Sequence, residues 1–230
     1  MTEGTPARRN SHVQMPVVYA AVGASKQADV VRFPPAGSTS YEESLRLGSG
    51  QPRFLTASSA LMTWAAQLGA GMHIEHLGGA DSQTYAGPEF AADGTPEAPT
   101  QREEKFAADG TPYIAAGNRV RVTFEENATR ELLVVYTIDE PRRAGFAWGT
   151  ADTNGPVGEQ LFVVEHRDDD SVWAVARGFL EASKDGVFGR KGKQDLQAAL
   201  NSIVPQLRGL LPGAARSRAA GEPEQTSEER

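Results

Sequence analysis

Cysteine is absent from the 230 residues, which excludes a disulfide framework, thiolate catalysis, iron–sulfur clusters and cysteine-bound zinc. Aromatic residues make up only 7%. No apolar run approaches the roughly 20 residues that span a bilayer, and the polar N-terminus lacks the apolar region of a secretory signal. Basic residues are outnumbered, 23 Lys and Arg against 30 Asp and Glu for a net charge of -7. Binding nucleic acid needs a concentrated basic face, so the charge argues against that class of partner. What is left is the expectation of a soluble, cytoplasmic chain, long enough for one domain with a real core plus tails or insertions.

Both ends read as disordered tails, residues 1–14 and 213–230. The second is built from Ala, Gly, Ser, Pro, Glu and Arg, which bury too little apolar surface to offset the entropy of ordering. A single domain is expected over 15–212, with an inserted loop at 80–112 rich in Gly, Pro, Asp, Glu and Thr. That loop holds a literal duplication: Phe90-Ala-Ala-Asp-Gly-Thr-Pro96 recurs as Phe106-Ala-Ala-Asp-Gly-Thr-Pro112, a period of 16 residues. Two copies this short and polar do not make a solenoid. Each carries Asp-Gly turn chemistry. The segment reads either as a tolerated surface duplication or as a docking loop that presents its two Phe residues.

Elsewhere the pattern is mostly β. Val17–Val22 is a short apolar run. Val120, Val122 and Phe124 alternate on one face, and apolar runs follow at Leu132–Ile138, Gly145–Thr150, Glu159–His166 and Val172–Leu180. Short polar turns join these five runs, as in an antiparallel meander. Two helices frame it. In the first, Leu61, Trp64, Ala65 and Leu68 recur at helical spacing, with Thr56 or Ser58 as the cap and Gly69 or Gly71 as the stop. In the second, Leu196, Leu200, Ile203, Leu207 and Leu210 form a stripe that Pro205 should kink. The class is α+β. A sheet that is apolar on one face needs a covering layer, and the C-terminal helix is the expected cover.

Three blocks carry a resemblance. They are Tyr19-Ala-Ala-Val-Gly-Ala24; Leu47-Gly-Ser-Gly50 with Phe54, Leu61, Trp64 and Gly71; and the long run Val134–Thr150, continued through Gly158-Glu159, Phe162–Glu165, Ser171–Trp173 and Phe179. They resemble the domain of unknown function 1990 family of bacteria and plants, whose members are similar to START-like helix-grip proteins. The resemblance implies a curved antiparallel sheet packed on a long C-terminal helix, with a cavity for apolar small molecules between them. This chain departs from the family where relatives carry Gly-His, reading Thr153-Asn154-Gly155 instead, which puts a histidine-dependent mechanism at that place in doubt. The loop before Gly117 is also longer than in relatives.

Glu159 matches a family glutamate. Facing an apolar cavity, such a carboxylate could shuttle a proton. If the Arg167–Ser171 turn pairs His166 with Val172, however, Glu159 and Arg177 share a face as diagonal neighbours and form a structural ion-pair network. Tyr19 would donate a hydrogen bond to substrate, and Trp148 would wall an apolar ligand. Tyr136, Trp64, Phe162, Trp173 and Arg177 complete the candidate binding set, each with a plain reading as packing. Asp139–Arg143 reads as a charged hairpin tip or an anion grip. His73-Ile-Glu75-His76 has the residue types of a metal site, but on a strand His76 points away from the other two, so no metal is expected. Leu47–Gly50 lacks the context of a dinucleotide loop and reads as a turn.

Two functions follow. One is binding of a polyketide- or lipid-like molecule in an internal cavity, with cofactor-free acid–base cyclisation, isomerisation or dehydration as its catalytic form. The other is a non-catalytic protein-interaction or ligand-carrier module that docks through the duplicated loop and the charged turn. The ligand and the oligomeric state are not legible in the sequence.

Overall fold

The five apolar runs of the second half form strands. A computed structural model of the chain describes residues 17–77, 104–124, 128–183 and 189–214. The expected tails lie outside the described residues apart from Gly213 and Ala214, and so does the first copy of the duplication. Seven strands make one antiparallel sheet: β1 Thr39–Ser49, β2 His73–His76, β3 Arg119–Thr123, β4 Thr129–Glu140, β5 Arg143–Thr150, β6 Val157–His166 and β7 Ser171–Glu181. Their order across the sheet is β1-β7-β6-β5-β4-β3-β2. Strands β3 to β7 are therefore the expected meander, and β1 closes one edge by pairing with β7.

Among the described residues four α-helices accompany the sheet, α1 Gln51–Met62, α2 Ala65–Gly69, α3 Arg190–Asn201 and α4 Ile203–Arg208. Helices α1, α2 and α4 cover one face, here the inner face. Phe54, Ala57 and Leu61 of α1, Ala66 of α2 and Ile203 and Leu207 of α4 pack there on Val120, Val134, Phe146, Trp148, Phe162, Val164 and Ala174. Each buried aromatic or branched side chain contributes about 1.5–3 kcal/mol. On the outer face a smaller cluster holds Ile138, Ala147, Leu161, Val163 and Val175. The residues before β1 cross that face through two short 3-10 turns, Ala24–Lys26 and Ala28–Val31.

Four local expectations are corrected. Val17–Val22 is not a strand: it runs over the outer face with Val18 and Val22 exposed, tied to the sheet by Val18 N–H to the Thr150 carbonyl at 3.0 Å. Leu47–Gly50 is the end of β1, with a bulge between Arg46 and Gly48, and Gly50 then caps α1. The first helix starts earlier than read and breaks at Trp64, whose left-handed backbone (φ 68°) separates α1 from α2. That break shifts the helical phase, so Ala66 and Gln67 are buried and Leu68 is exposed. A non-glycine residue in that conformation costs about 1–2 kcal/mol, offset here by burial of the indole.

The C-terminal stripe forms helix over Arg190–Arg208 but is interrupted at Ser202. Pro205 has no N–H for the Asn201 carbonyl, and its ring crowds that carbonyl. Only Ile203, Leu207 and Leu210 are fully buried, whereas Leu196 and Leu200 on α3 are half-buried. The part of the stripe that seals the core is thus α4. No helix among the described residues is long and apolar enough to cross a membrane.

Candidate functional site

Strand pleating decides which site candidates can meet. The β6–β7 register pairs His166 with Val172 and Glu159 with Phe179. Glu159, Leu161 and Val163 therefore face outward, away from the helices, while Gln160, Phe162 and Val164 face inward. On β5, Trp148 and Phe146 face inward and Gly149 outward. The candidates separate into two groups. Glu159, Tyr19, Tyr136, Arg177 and Trp173 lie on the outer face; Trp148, Phe162 and Trp64 lie on the inner one.

The outer group centres on Glu159, which is fully buried. Its Oε2 accepts from the Tyr19 hydroxyl and the Gly23 N–H, both at 2.7 Å. Its Oε1 accepts from the Ser25 N–H at 3.0 Å and the Ser25 hydroxyl at 2.5 Å. Four donors fill the roughly four acceptor positions of a carboxylate. Because the Ser25 hydroxyl gives its proton to Glu159, the Tyr136 hydroxyl, 2.7 Å away, donates to Ser25 in turn. Arg177 completes the ring from the other side: its Nε donates to the Ser25 carbonyl at 3.2 Å and its Nη2 to the Lys26 carbonyl at 3.3 Å. Its Nη1 lies 3.4 Å from Glu42. Burial raises both Tyr19 and Tyr136 above the ordinary tyrosine range; Glu159 adds to both shifts, while the Ser25 bond to Tyr136 opposes. Both hydroxyls stay protonated as donors.

This arrangement corrects the expected proton shuttle. Glu159 points away from the helix-covered face, and all of its acceptor capacity is taken up by one short segment, Tyr19–Ser25. Glu159 and Arg177 do share a face as diagonal neighbours, yet they act in parallel rather than as a direct pair: one binds the segment's N–H groups, the other its carbonyls. Tyr19 likewise serves Glu159. It reaches the carboxylate by lying over Gly149, where a Cβ would stand 2.1 Å from its hydroxyl. Ser25 was not singled out from the sequence. It lies one residue past the Tyr19–Ala24 block, and its only signal was a small hydroxyl directly after Gly23-Ala24.

On the inner face, Trp64 stacks on Trp148 at 5.7 Å between centroids, and Phe146 and Phe162 pack edge-on against Trp148 at 5.7 and 5.6 Å. The Trp148 indole donates to Gln160 Oε1 at 3.0 Å, and Gln160 Nε2 donates to the Tyr41 hydroxyl at 3.0 Å. Neither Gln160 nor Tyr41 was anticipated. Trp173 lies on the outer face but away from the Glu159 cluster: its indole donates to Ser171 at 2.8 Å and the Arg167 guanidinium sits 4.5 Å from its ring centre.

The charged turn is a structural clasp. Arg142 donates to the His166 and Arg167 carbonyls of the neighbouring turn and to Asp168, and Arg143 pairs with Glu140 and Glu165. Both arginines are paired with neighbouring protein groups. In β2, Glu75 pairs with Arg121 at 3.0 Å, while the His76 ring turns to Trp64 on the inner side. Among the described residues no three His, Asp or Glu side chains are placed to hold a metal ion. The Thr153-Asn154-Gly155 departure falls in a loop held by Arg130, which pairs with Asp152 at 3.0 Å and donates to the Pro156 carbonyl at 2.8 Å.

Comparison with known proteins adds a family and a set of distant structures. A hypothetical protein of Helicobacter pylori is similar at 13% identity, over 92% of this chain and 97% of that one, with a TM-score of 0.48. Ara h 8.0201 is similar at 12% identity, over 76% of this chain and 98% of that one, with a TM-score of 0.39. A protein from Nitrosospira multiformis gives 11% identity over 77% and 99%, with a TM-score of 0.41. No curated protein matches the chain. The family described as "Domain of unknown function (DUF1990)" matches residues 100–186, the stretch that holds β3 to β7 with Glu159, Gln160 and Arg177.

Proposed function

We propose that the protein binds an apolar small molecule, polyketide- or lipid-like in chemistry, between the inner face of the sheet and its helices. In this reading the sheet curves around them as in START-like helix-grip proteins. The observation that carries it is the partly accessible apolar rim of the inner layer. Tyr41 and Leu45 on β1, Ile74 on β2, and Tyr113 and Phe124 flanking β3 pack on the buried core yet stay partly accessible. Strands β1 and β2 are the two edges of the sheet, and α1 with α2 forms the connection between them. An apolar lining with few polar groups is the usual makeup of a small-molecule site.

The reading is one of binding. Cofactor-free cyclisation, isomerisation or dehydration needs an acid–base group on the ligand's face, and Glu159 is on the other. Native mass spectrometry of freshly purified protein tests the proposal, with uptake of anilinonaphthalenesulfonate measured beside it. A defined excess of a few hundred daltons over the denatured chain, lost as the dye enters, is the expected result. A bare chain mass together with no dye uptake would overturn it.

One observation favours the second reading, docking of a protein partner. The second copy of the duplication forms a small hairpin, closed by Ala107 N–H to the Thr111 carbonyl and Tyr113 N–H to the Lys105 carbonyl, both 2.8 Å. At its base Phe106 is 53% exposed. Phe106→Ser should lower recovery of a bound protein in a pull-down; unchanged recovery removes the hairpin as the docking element.

A further inference from the structure

The inner face carries a hydrogen-bond chain whose polarity can be worked out from chemistry alone. An indole nitrogen only donates, so Trp148 fixes which end of the Gln160 amide faces it: the oxygen. The amide nitrogen must then face Tyr41, and the Tyr41 hydroxyl must accept from it. Its own proton is left over. Among the described residues that proton meets no acceptor, although Tyr41 is packed against the core and only partly accessible.

The chain follows one row of the sheet. Tyr41 pairs with Gly178, Gly178 with Gln160, and Gln160 with Trp148. Tyr41 reaches across β7 because the row has a glycine there. A Cβ on Gly178 would stand 3.1 Å from the Tyr41 hydroxyl and only 2.2 Å from the Glu159 carbonyl. A side chain at that position would crowd the phenol and clash outright with the Glu159 carbonyl. The hydroxyl is therefore held over β7, oriented from behind by Gln160. Burial keeps it protonated by raising it above the usual tyrosine range, with the Gln160 bond opposing.

A second residue restricts what the hydroxyl can meet. Glu43 follows Tyr41 by two on β1 and pairs with Ala176, which puts both side chains on the inner face about 7 Å apart along the strand. Glu43 is exposed and has no partner among the described residues. A ligand carboxylate beside it would meet like-charge repulsion. A neutral oxygen would not.

We propose that Tyr41 is a specificity-determining residue, a preset hydrogen-bond donor to a neutral carbonyl oxygen (ketone, ester or quinone) on the apolar ligand of the inner face. Gln160 is its positioning residue. The inference rests on the ligand-binding reading above and adds to it the ligand's polar group.

Matched probes test it: acetylnaphthalene, which has the carbonyl; ethylnaphthalene, which has the same shape without it; and naphthoic acid, which is anionic. The unmodified protein should bind the ketone several-fold more tightly than the hydrocarbon, and the acid more weakly than the ketone. Tyr41→Phe keeps the ring and removes the donor, so ketone affinity should fall about tenfold, the worth of one well-placed hydrogen bond, with ethylnaphthalene unchanged. Gln160→Met should lower the ketone-to-hydrocarbon ratio by a smaller factor, whereas a merely structural role would lower both affinities alike. Equal loss of both probes in Tyr41→Phe, or loss of neither, overturns the role of Tyr41 and leaves the binding reading intact. If the unmodified protein takes up none of the three probes and no dye, the binding reading falls and this inference with it.

Discussion

Ser25 donates twice to Glu159, from its backbone N–H at 3.0 Å and from its hydroxyl at 2.5 Å. A serine before the first strand thereby satisfies half of a carboxylate that lies 134 residues further along the chain. The pair makes Glu159 an anchor for the segment crossing the outer face.

Glu159→Gln should therefore destabilise the protein rather than silence a reaction. An amide places an N–H₂ group against donors and leaves at least one of them buried without an acceptor. The expected loss is about 2–3 kcal/mol, read as a lower urea midpoint with an unchanged slope. Full stability in this variant would refute the anchor.

Ser25→Ala removes a link shared by Glu159 and Tyr136, so its cost should exceed that of Tyr136→Phe. About 1–2 kcal/mol is expected for the first and about 1 kcal/mol for the second. The two effects should not add in the double variant, because both delete the same bond. Strict additivity in denaturant unfolding would show that the Tyr136–Ser25 bond contributes nothing.

Gly149→Ala puts a methyl group where the Tyr19 ring lies, with the hydroxyl 2.1 Å and the ring carbons 2.6 and 2.7 Å from the new Cβ. The ring must leave, and the Glu159 carboxylate loses a donor. Limited proteolysis should then cut within residues 17–31 several-fold faster than in the unmodified protein. An unaltered cutting rate would mean that Tyr19 does not hold the segment down.

Three half-buried tyrosines give a pH dependence whose sign is fixed. Tyr19, Tyr41 and Tyr136 all titrate higher when folded than the ordinary value near 10. The folded chain thus holds protons that the unfolded chain releases, and stability must fall as pH rises above about 10. Each tyrosine contributes up to about 1.4 kcal/mol per pH unit in that window, with full stability retained below it. Urea midpoints across the alkaline range should show the fall, and Tyr19→Phe should make it shallower. A flat profile would contradict the buried, protonated state of these hydroxyls.

The meander was legible because Val120 and Val122 alternate with polar residues, because Leu132–Ile138 and Leu161–Val164 are apolar runs of strand length, and because the charged Arg167–Asp170 turn sets the β6–β7 register. The outer location of Glu159 was not legible. A strand's period of two assigns residues to faces but does not say which face a helix will cover. Strand β1 escaped notice because it is an edge: Glu42, Ser44 and Arg46 alternate with Tyr41, Glu43 and Leu45, and a glutamate on the apolar side spoils the pattern. Val17–Val22 misled in the opposite direction, since two of its valines are exposed. Trp64 broke a helix whose apolar spacing runs straight through it. The Tyr41–Gln160–Trp148 chain escaped because its members lie on β1, β6 and β5, and only the register of three strand pairs brings them into one row.

The bonds between Tyr19, Ser25 and Glu159 also bear on biosynthesis. Ribosomal chain growth at about 5–20 residues per second puts Glu159 on the order of ten seconds behind Ser25. Throughout that interval the segment that will cover the outer face has no carboxylate to bind, and β1 has no β7 to pair with. The segment before β1, made ahead of both the glutamate and the strand it is joined to, is thus among the last to reach its native place.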